Sequence, residues 1–463
     1  MSESKYIPTE LGTEKISKLL KKYALPAIIA MTASSLYNMV DSIFIGHGSG
    51  PLAISGLAVT FPLMNLSAAI GTLVGIGCMT TLSIFLGQKN YKAANIVLSN
   101  LISLSFITSI IFMALTLFFL DPILYFFGAS ENTISYARDY MQIILYGNLI
   151  THLYFGLNGA MRASGNPKKA MSLTLATVVL NTILDPIFIF VFDMGIKGAA
   201  IATVLSQAIT TTVEIFHFIG KEKLLKFDKN VFRIDARIAK DSLAIGMGPF
   251  LMNSAACMVT LMINQQLLKY SGDLGIGSFG IINRITFIFV MICSGLNQGM
   301  QPIAGFNYGA RKYKRVKEVF KKSVVIASCV CVCCFLLSEF MGRPAVTLFT
   351  HDPELIDRAI KGLKITNIVF PIVGFQIVST NFFQSLGMVN KSIVLSLMRQ
   401  VIILIPLLFI LPLFWGEDGV WISFPISDTL ASILTLFFLA SLFKKFNKLE
   451  DGDAPDILGS KLR

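Results

Sequence analysis

Charged residues are scarce in this chain of 463 residues. Only 14% of the positions are Asp, Glu, Lys or Arg, against about 25% in soluble domains, and 54% are hydrophobic. Apolar runs of about eighteen residues or more recur along nearly the whole length, and each is long enough to cross a bilayer as a helix. The short alternating segments of a membrane barrel are absent. The composition therefore predicts an all-α integral membrane protein, in which each helix satisfies its own backbone hydrogen bonds.

Catalytic and cofactor-binding signatures are missing as well. The sequence contains no HExxH motif, no GxSxG motif and no Walker-type phosphate loop, so we expect neither an enzyme nor a protein driven directly by ATP. Four of the seven cysteines are crowded into one apolar stretch, as Cys329, Cys331, Cys333 and Cys334. Their spacing spreads the sulfur atoms around a helix, and no histidine is near, so packing is the favoured role and metal or redox use is the alternative. No cofactor is expected.

Twelve apolar runs are present, and they divide the chain into two halves. They cover about 23–45, 54–85, 95–120, 134–161, 171–192, 198–219, 241–269, 276–307, 319–342, 356–384, 392–414 and 419–443. The predicted organisation is a segment 1–22, an N-terminal lobe 23–219, a linker 220–240, a C-terminal lobe 241–443 and a tail 444–463. Because Met1 to Leu19 is polar, no cleavable signal peptide is expected, and the first span is expected to act as an uncleaved anchor.

Lysine and arginine are concentrated on one side of such a bundle. About thirty of the 39 lie at the termini and in the loops 87–93, 162–169, 220–240, 309–322 and 390–391. The positive-inside rule predicts that this side, with both termini, is cytoplasmic. The net charge of +12 is therefore interpreted as an orientation signal, and no nucleic-acid partner is expected.

The two halves resemble each other at an offset of about 222 residues. Gly87, Tyr91 and Lys92 recur as Gly309, Tyr313 and Lys314, and Gly165 recurs as Gly387. Because each half has an even number of spans, we predict two six-helix lobes related by a pseudo-two-fold axis along the membrane normal. The substrate is then expected to bind between the lobes.

Two acidic residues interrupt the apolar runs of the first half. Asp185 lies in the fifth span, with Asn181 one helical turn before it and Pro186 directly after it, and Asp41 lies near the far end of the first span. A charge at the bilayer centre costs roughly 2.5–3.5 kcal/mol on insertion scales, so such an acid normally faces a cavity or a partner. The equivalent positions of the second half hold Asn264 and Leu407. This asymmetry favours an ion or proton site in the first lobe, and structural hydrogen bonding is the alternative.

Three motifs resemble those of one transporter family. They are Tyr37-Asn38-Met39-Val40-Asp41-Ser42, Asn181-Thr182-Ile183-Leu184-Asp185-Pro186 and Gly299-Met300-Gln301-Pro302-Ile303-Ala304-Gly305-Phe306-Asn307-Tyr308. They are similar to motifs of multidrug and toxic compound extrusion (MATE) transporters, and the resemblance to the bacterial MepA-like and DinF-like branches covers about residues 15–447. It implies a bacterial cytoplasmic membrane protein that exports organic cations in exchange for H+ or Na+ and contributes to antibiotic resistance.

The resemblance also implies which residues couple transport to an ion. In the DinF-like branch the coupling site lies in the N-terminal lobe, and its pattern matches Tyr37, Asp41, Asn181, Asp185 and Thr203 here. The NorM-like branch places acids in the C-terminal lobe, and this sequence lacks them in spans seven and ten, where Asn264 and Gln376 are polar but neutral. Two close carboxylates away from water would share a proton, whereas neutral oxygens from Asn181, Thr203 and Tyr37 would complete an oxygen shell for Na+ with the two acids. We expect H+, with Na+ as the alternative.

Several further residues have roles that the sequence does not decide. Glu214, near the cytoplasmic end of the sixth span, is expected to extend towards water or to pair with a lysine. Arg399 and Asp428 form either a structural pair or part of a cavity in the second lobe, and His152 is interpreted as a hydrogen-bonded structural residue. Candidates for an adaptable substrate cavity are Asn38, Phe155, Met161 and Met291.

The function predicted from these features is secondary active efflux by a monomer in the lipid bilayer. Its substrates would be small amphipathic organic cations, moved by alternating access. A flippase for a lipid-linked precursor is the alternative, although its pyrophosphate would require cationic cavity walls and the spans hold few basic residues beyond Arg284 and Arg399. A membrane-embedded enzyme is the third possibility.

Overall fold

The computed structural model describes residues 10–49, 51–219, 225–227 and 234–453. Within these ranges almost every residue outside the short connections is helical, and no β-strand occurs. The prediction of an all-α membrane protein is therefore confirmed.

The first half of the chain contains six predicted spans, and five of them are single long helices, one with a π-helical extension. After the short α1 (Glu10–Thr13), the helices are α2 (Ile16–Ser49), α3 (Pro51–Gly87), α4 (Tyr91–Phe118), α5 (Leu120–Phe126), α6 (Ile134–Tyr146), α7 (Asn148–Ala163), α8 (Pro167–Pro186) and α9 (Gly195–Phe218). A π-helical segment, Ile187–Val191, extends α8.

The second half repeats this order. Its helices are α10 (Ala236–Gly309), α11 (Tyr313–Phe340), α12 (Gly342–Thr347), α13 (Pro353–Asn367), α14 (Phe370–Ser385), α15 (Val389–Leu397), α16 (Ile405–Ile410) and α17 (Pro412–Phe446). Gly272, at φ 64°, breaks α10 into two spans, and a π-helical segment, Met398–Leu404, joins α15 to α16.

Nine helices of the described chain are long and apolar enough to cross a membrane, and the bent pair α13 and α14 makes a tenth. The two remaining predicted spans correspond to α2 and to the pair α6 and α7. The pairs α6/α7 and α13/α14 were each predicted as one continuous span, over 134–161 and 356–384, and each is broken. At the first break, Gly147 packs so closely against α9 that a Cβ on this residue would lie 2.4 Å from a methyl carbon of Val204. At the second break, Pro371 lacks the N–H that would continue the helix.

The internal repeat is visible in the backbone. Helices α4 and α11 both have 28 residues, and both begin with a tyrosine. Lys89 and Arg311, two residues before these tyrosines, both adopt the left-handed conformation at φ 58°. Non-glycine residues rarely adopt this conformation, so its recurrence at an offset of 222 residues agrees with the internal repeat read from the sequence.

The chain forms two compact units, and each contains a segment from the other half of the sequence. The first unit is built mainly from Ile29–Phe250, and the second from Lys15–Ile28 and Leu251–Ile457. In the first unit, a Cβ on Gly246 of α10 would lie 1.8 Å from the carbonyl oxygen of Leu73 on α3. In the second unit, a Cβ on Gly299 would lie 2.4 Å from the Cα of Ala24 on α2. Such close backbone contact between helices requires glycine.

Each unit has its own hydrophobic core. In the first unit it includes Leu124, Tyr140, Met141, Leu145 and Ala199, which lie on α5, α6 and α9. In the second unit it includes Leu267, Val346, Leu363, Leu408 and Trp421, from α10, α12, α13, α16 and α17. The outer surfaces carry large exposed apolar side chains, as expected for helices in contact with lipid.

Candidate ion-coupling site

Helix α8 directs two polar side chains into the first unit. Asn181 and Asp185 are four residues apart and therefore lie on one helix face, where both are buried, Asp185 completely at 0% exposure. The Asn181 Nδ2 donates a hydrogen bond to the Asp185 Oδ1 at 3.2 Å. Val179 and Ile183 are more than half exposed on the other side of the same helix. The helix is therefore apolar towards its surroundings and polar towards the interior of the unit.

Helix α9 contributes a hydroxyl group to the same place. The Asn181 Nδ2 also donates to the Thr203 Oγ1 at 3.2 Å, and Thr203 is buried. Pro186, directly after Asp185, has no N–H to continue the regular pattern of hydrogen bonds, and the helix goes on beyond it as the π-helical segment.

Helix α2 supplies the second carboxylate. The Asp41 side chain is buried, at 6% exposure, and is close enough to Asp185 for the two carboxyl groups to interact. Three helices, α2, α8 and α9, therefore bring together Asp41, Asn181, Asp185 and Thr203. Four of the five residues matched to the DinF-like pattern are in one cluster, and the side chain of the fifth, Tyr37, lies outside the described residues.

The cluster has more oxygen atoms than hydrogen-bond donors. Among the described residues, the buried atoms Asp41 Oδ1, Asn181 Oδ1 and Asp185 Oδ2 receive no hydrogen bond. No ion pair found in the described part of the chain includes either aspartate. Buried polar groups normally have partners, so three unpartnered oxygens at one place indicate a site for a cation or a proton.

The candidate cavity residues are dispersed. Met161 is fully buried and Phe155 is 42% exposed, both on α7, whereas Met291 is half-buried on α10 in the second unit. The side chain of Asn38, like that of Tyr37, lies outside the described residues. A role for these four residues in a substrate cavity stays a prediction.

A column of polar residues continues from this site along α8 and α9. Thr177, one turn from Asn181 on α8, and Thr210, two turns from Thr203 on α9, share a hydrogen bond of 2.9 Å between their hydroxyl groups. Beyond them, Glu214 accepts a hydrogen bond of 3.0 Å from the Asn158 Nδ2, and Asn158 accepts from Arg162. Glu214 is completely buried, so the expectation that it extends towards water or pairs with a lysine is wrong.

The reason for this error is that the partners of Glu214 lie on another helix. Asn158 and Arg162 are on α7, and no spacing within the sixth span indicates that they are near Glu214. The spacing of Thr174, Thr177, Asn181 and Asp185 at three- and four-residue intervals on α8 was the signal in the sequence for a polar helix face. This spacing predicts the polar face of α8, but it does not identify Asn158 of α7 as the partner of Glu214 at the far end of the column.

The other undecided polar residues have structural partners. Arg399 Nε donates to Asp428 Oδ1 at 2.6 Å, and the carbonyl of Arg399 accepts from Ser427. The His152 Nε2 lies 3.1 Å from the carbonyl oxygen of Ser67, which agrees with its interpretation as a hydrogen-bonded residue. All seven cysteines are free, and no group of three metal-ligating side chains occurs among the described residues.

Comparison with known proteins identifies the class of protein to which this chain belongs. The family model described as MatE matches residues 26–187 and 247–410, one segment in each half of the chain, so the chain belongs to the MatE family. The multidrug export protein MepA of Staphylococcus haemolyticus (strain JCSC1435) is 30% identical over 427 residues, which cover 92% of this chain and 94% of that protein. The MepA protein of Staphylococcus aureus (strain MSSA476) is 28% identical over 92% of this chain and 93% of its own.

Solved structures agree with this assignment. The MATE multidrug transporter DinF-BH has a TM-score of 0.87 and 36% sequence identity, covering 93% of this chain and 96% of that one. An outward-facing MATE family transporter of the MOP superfamily has a TM-score of 0.90 at 22% identity, covering 97% and 100% of the two chains, which shows the shared fold. The resemblance read from the three sequence motifs, and the two-lobe fold of twelve spans that it implied, are confirmed.

Proposed function

We propose that this protein exports small amphipathic organic cations across the cytoplasmic membrane in exchange for protons, with both termini in the cytoplasm. Membership of the MatE family and the relation to proteins named as multidrug exporters support the transport of small molecules. The concentration of lysine and arginine on one face supports the orientation. The coupling residues are Asp41 and Asp185, held by Asn181 and Thr203.

The observation that carries the proposal is the contact between Asp41 and Asp185 in the absence of a fixed cationic partner among the described residues. Two carboxylates in contact and shielded from water cannot both remain ionised unless a cation lies between them. A single proton satisfies this condition, because it gives one carboxyl group an O–H that the other can accept. Loss or gain of that proton changes the net charge of the site. The site can therefore exchange the proton for a cationic substrate.

The proposal requires the pair to be accessible from the two sides of the membrane in turn. A coupled exporter moves its substrate outward as the proton moves inward, and the site must not hold both at once. Protonation of the pair lowers the negative charge that attracts an organic cation. Proton binding and substrate release are thereby linked by electrostatics alone, without a nucleotide or a resident cofactor.

The test is efflux of ethidium from everted membrane vesicles under a pH gradient and, separately, under a Na+ gradient. We expect Asp41→Asn and Asp185→Asn to lower efflux driven by the pH gradient at least tenfold at equal levels of inserted protein. Asp193→Asn is a matched control, because Asp193 is exposed just beyond α8 at φ 53°, a conformation that asparagine tolerates. The control should transport at the parental rate. Parental rates in both site variants would remove the coupling assignment.

A further inference from the structure

A groove on the second unit joins basic side chains to an apolar channel. It has a volume of about 530 Å³ and is formed by α2, α10 and α11. Its basic lining residues are Lys21, Lys321 and Lys322, and Ser17 lies beside them. A volume of this size is within the range of about 300–1,000 Å³ that is typical of ligand sites.

The order of residues along the two helices separates the groove into a polar and an apolar end. On α2, Ser17 and Lys21 come before Ala24, Leu25 and Ile28. On α11 the same order is found, because Lys321 and Lys322 come before Val325 and Ile326. Both helices begin on the lysine-rich face of the protein, so the basic end of the groove lies at that face and the apolar end lies deeper in the membrane. This is the order of a headgroup and an acyl chain in a phospholipid.

The charges at the polar end are incompletely neutralised. Lys322 Nζ is paired with Glu318 at 2.6 Å and also donates to Ser17 Oγ at 2.7 Å. Lys21 and Lys321 are exposed, and neither forms an ion pair with any described residue. Two uncompensated ammonium groups around a hydroxyl group match the single negative charge and the acceptor oxygens of a phosphodiester.

The apolar end is open to the surroundings. Leu25 and Val325 are exposed over about half of their surface or more, at 49% and 62%, and they face one channel from opposite helices. Exposed apolar surface of this kind on a membrane helix is covered by lipid chains. The lysines then determine which lipid is preferred, because each basic residue near an anionic surface contributes about 1 kcal/mol of attraction.

We propose that this groove binds one anionic phospholipid, with its phosphate between Lys21, Lys321 and Ser17 and one acyl chain between α2 and α11. The site lies entirely within the second unit and does not depend on which ion drives transport. Its occupant would connect the Lys15–Ile28 segment of α2 to α11, two parts of the second unit that are far apart in the sequence.

The test uses the full-length protein in detergent, with dioleoyl phosphatidylglycerol or dioleoyl phosphatidylcholine added and the retained lipid counted by native mass spectrometry. We expect the parent to retain one phosphatidylglycerol at least fivefold more strongly than phosphatidylcholine. The double variant Lys21→Gln/Lys321→Gln should lose this preference and keep its weak retention of phosphatidylcholine. Val325→Trp should lower retention of both lipids, because the indole fills the apolar channel.

The matched control is Lys92→Gln/Lys168→Gln, which removes two exposed lysines of the same face from the first unit. It should retain phosphatidylglycerol as the parent does. Equal retention of the two lipids by the parent would overturn the proposal. An equal loss of phosphatidylglycerol retention in the two double variants would also overturn it. Preferential retention of tetraphenylphosphonium at this groove would also overturn it, since that result would make the groove a site for cations.

Discussion

Asn181 has two partners for its amide group and none for its amide oxygen. Its Nδ2 contacts Asp185 and Thr203, so its orientation is determined by a carboxylate and a hydroxyl group on two helices. The oxygen is buried and, like Asp41 Oδ1 and Asp185 Oδ2, accepts no hydrogen bond from the described residues. An oxygen in this place would be a ligand for Na+, whereas a proton shared by the carboxylates does not need it.

This difference leads to a prediction about the coupling ion. Asn181→Ala and Thr203→Ala should retain a large part of the efflux driven by a pH gradient, because the two carboxylates that hold the proton remain. Thr177→Ala, one turn away on α8 and bonded to Thr210, is the control for loss of a buried polar group. The measurement is ethidium efflux in vesicles with either gradient imposed alone. Complete loss in both site variants, with Na+-driven efflux in the parent at zero pH gradient, would show a sodium site.

Glu214 permits a second prediction at this scale. Its replacement by alanine removes the hydrogen bond from the Asn158 amide, which keeps the Ala170 carbonyl and the Thr174 hydroxyl as acceptors, and leaves a cavity at a fully buried position. The hydrogen bond alone contributes about 0.5–1.5 kcal/mol. We expect Glu214→Ala to lower the midpoint of thermal unfolding in detergent by several degrees. Glu131→Ala, at an exposed position between α5 and α6, should leave the midpoint unchanged. Identical midpoints would mean that this hydrogen bond contributes nothing.

The helices show which features a linear pattern can predict. Hydropathy predicted the positions of the spans, because every spanning helix must carry an apolar run of similar length. The i, i+4 spacing predicted that Asn181 and Asp185 share a face. The contact of Asp41 with Asp185 joins helices far apart in the sequence and followed only from the resemblance to a family. Neither hydropathy nor spacing predicted the break at Gly147, because that glycine is required by the Val204 side chain on another helix.

Close packing of α3 against α10 leads to a prediction about helices. Gly246→Ala would place a methyl group 1.8 Å from the Leu73 carbonyl oxygen, so the two backbones would have to separate. We expect lower yield of folded protein and a lower unfolding midpoint. Gly280→Ala on the same helix meets nothing within 4 Å and should be neutral or slightly stabilising, by up to about 1 kcal/mol. A variant at Gly246 with parental yield and midpoint would contradict the observed packing.

The orientation proposed for the whole molecule follows from its charges and its twelve predicted spans. In a variant whose seven native cysteines are replaced by alanine, a cysteine at Lys226 should react with a membrane-impermeant maleimide only from the cytoplasm. A cysteine at Ser130 should react only from outside, because three spans separate Ser130 from the N-terminal segment. Both positions are exposed, so absence of labelling reports sidedness and not burial. The reversed result, or labelling of both from one side, would refute the proposed orientation.

Lys15–Ile28 belongs to the second unit, whereas the start of α10 belongs to the first. Division of the gene between its two halves would therefore divide both units. A break between Phe218 and Ala236 yields two polypeptides of six spans each, yet neither polypeptide contains all of one compact unit. The first keeps Leu73 and lacks Gly246, and the second keeps Gly299 and lacks Ala24. Each fragment would therefore expose a helix face that only the other fragment can cover. The halves, although they repeat one pattern, would have to be synthesised together and would behave as obligate subunits of a heterodimer.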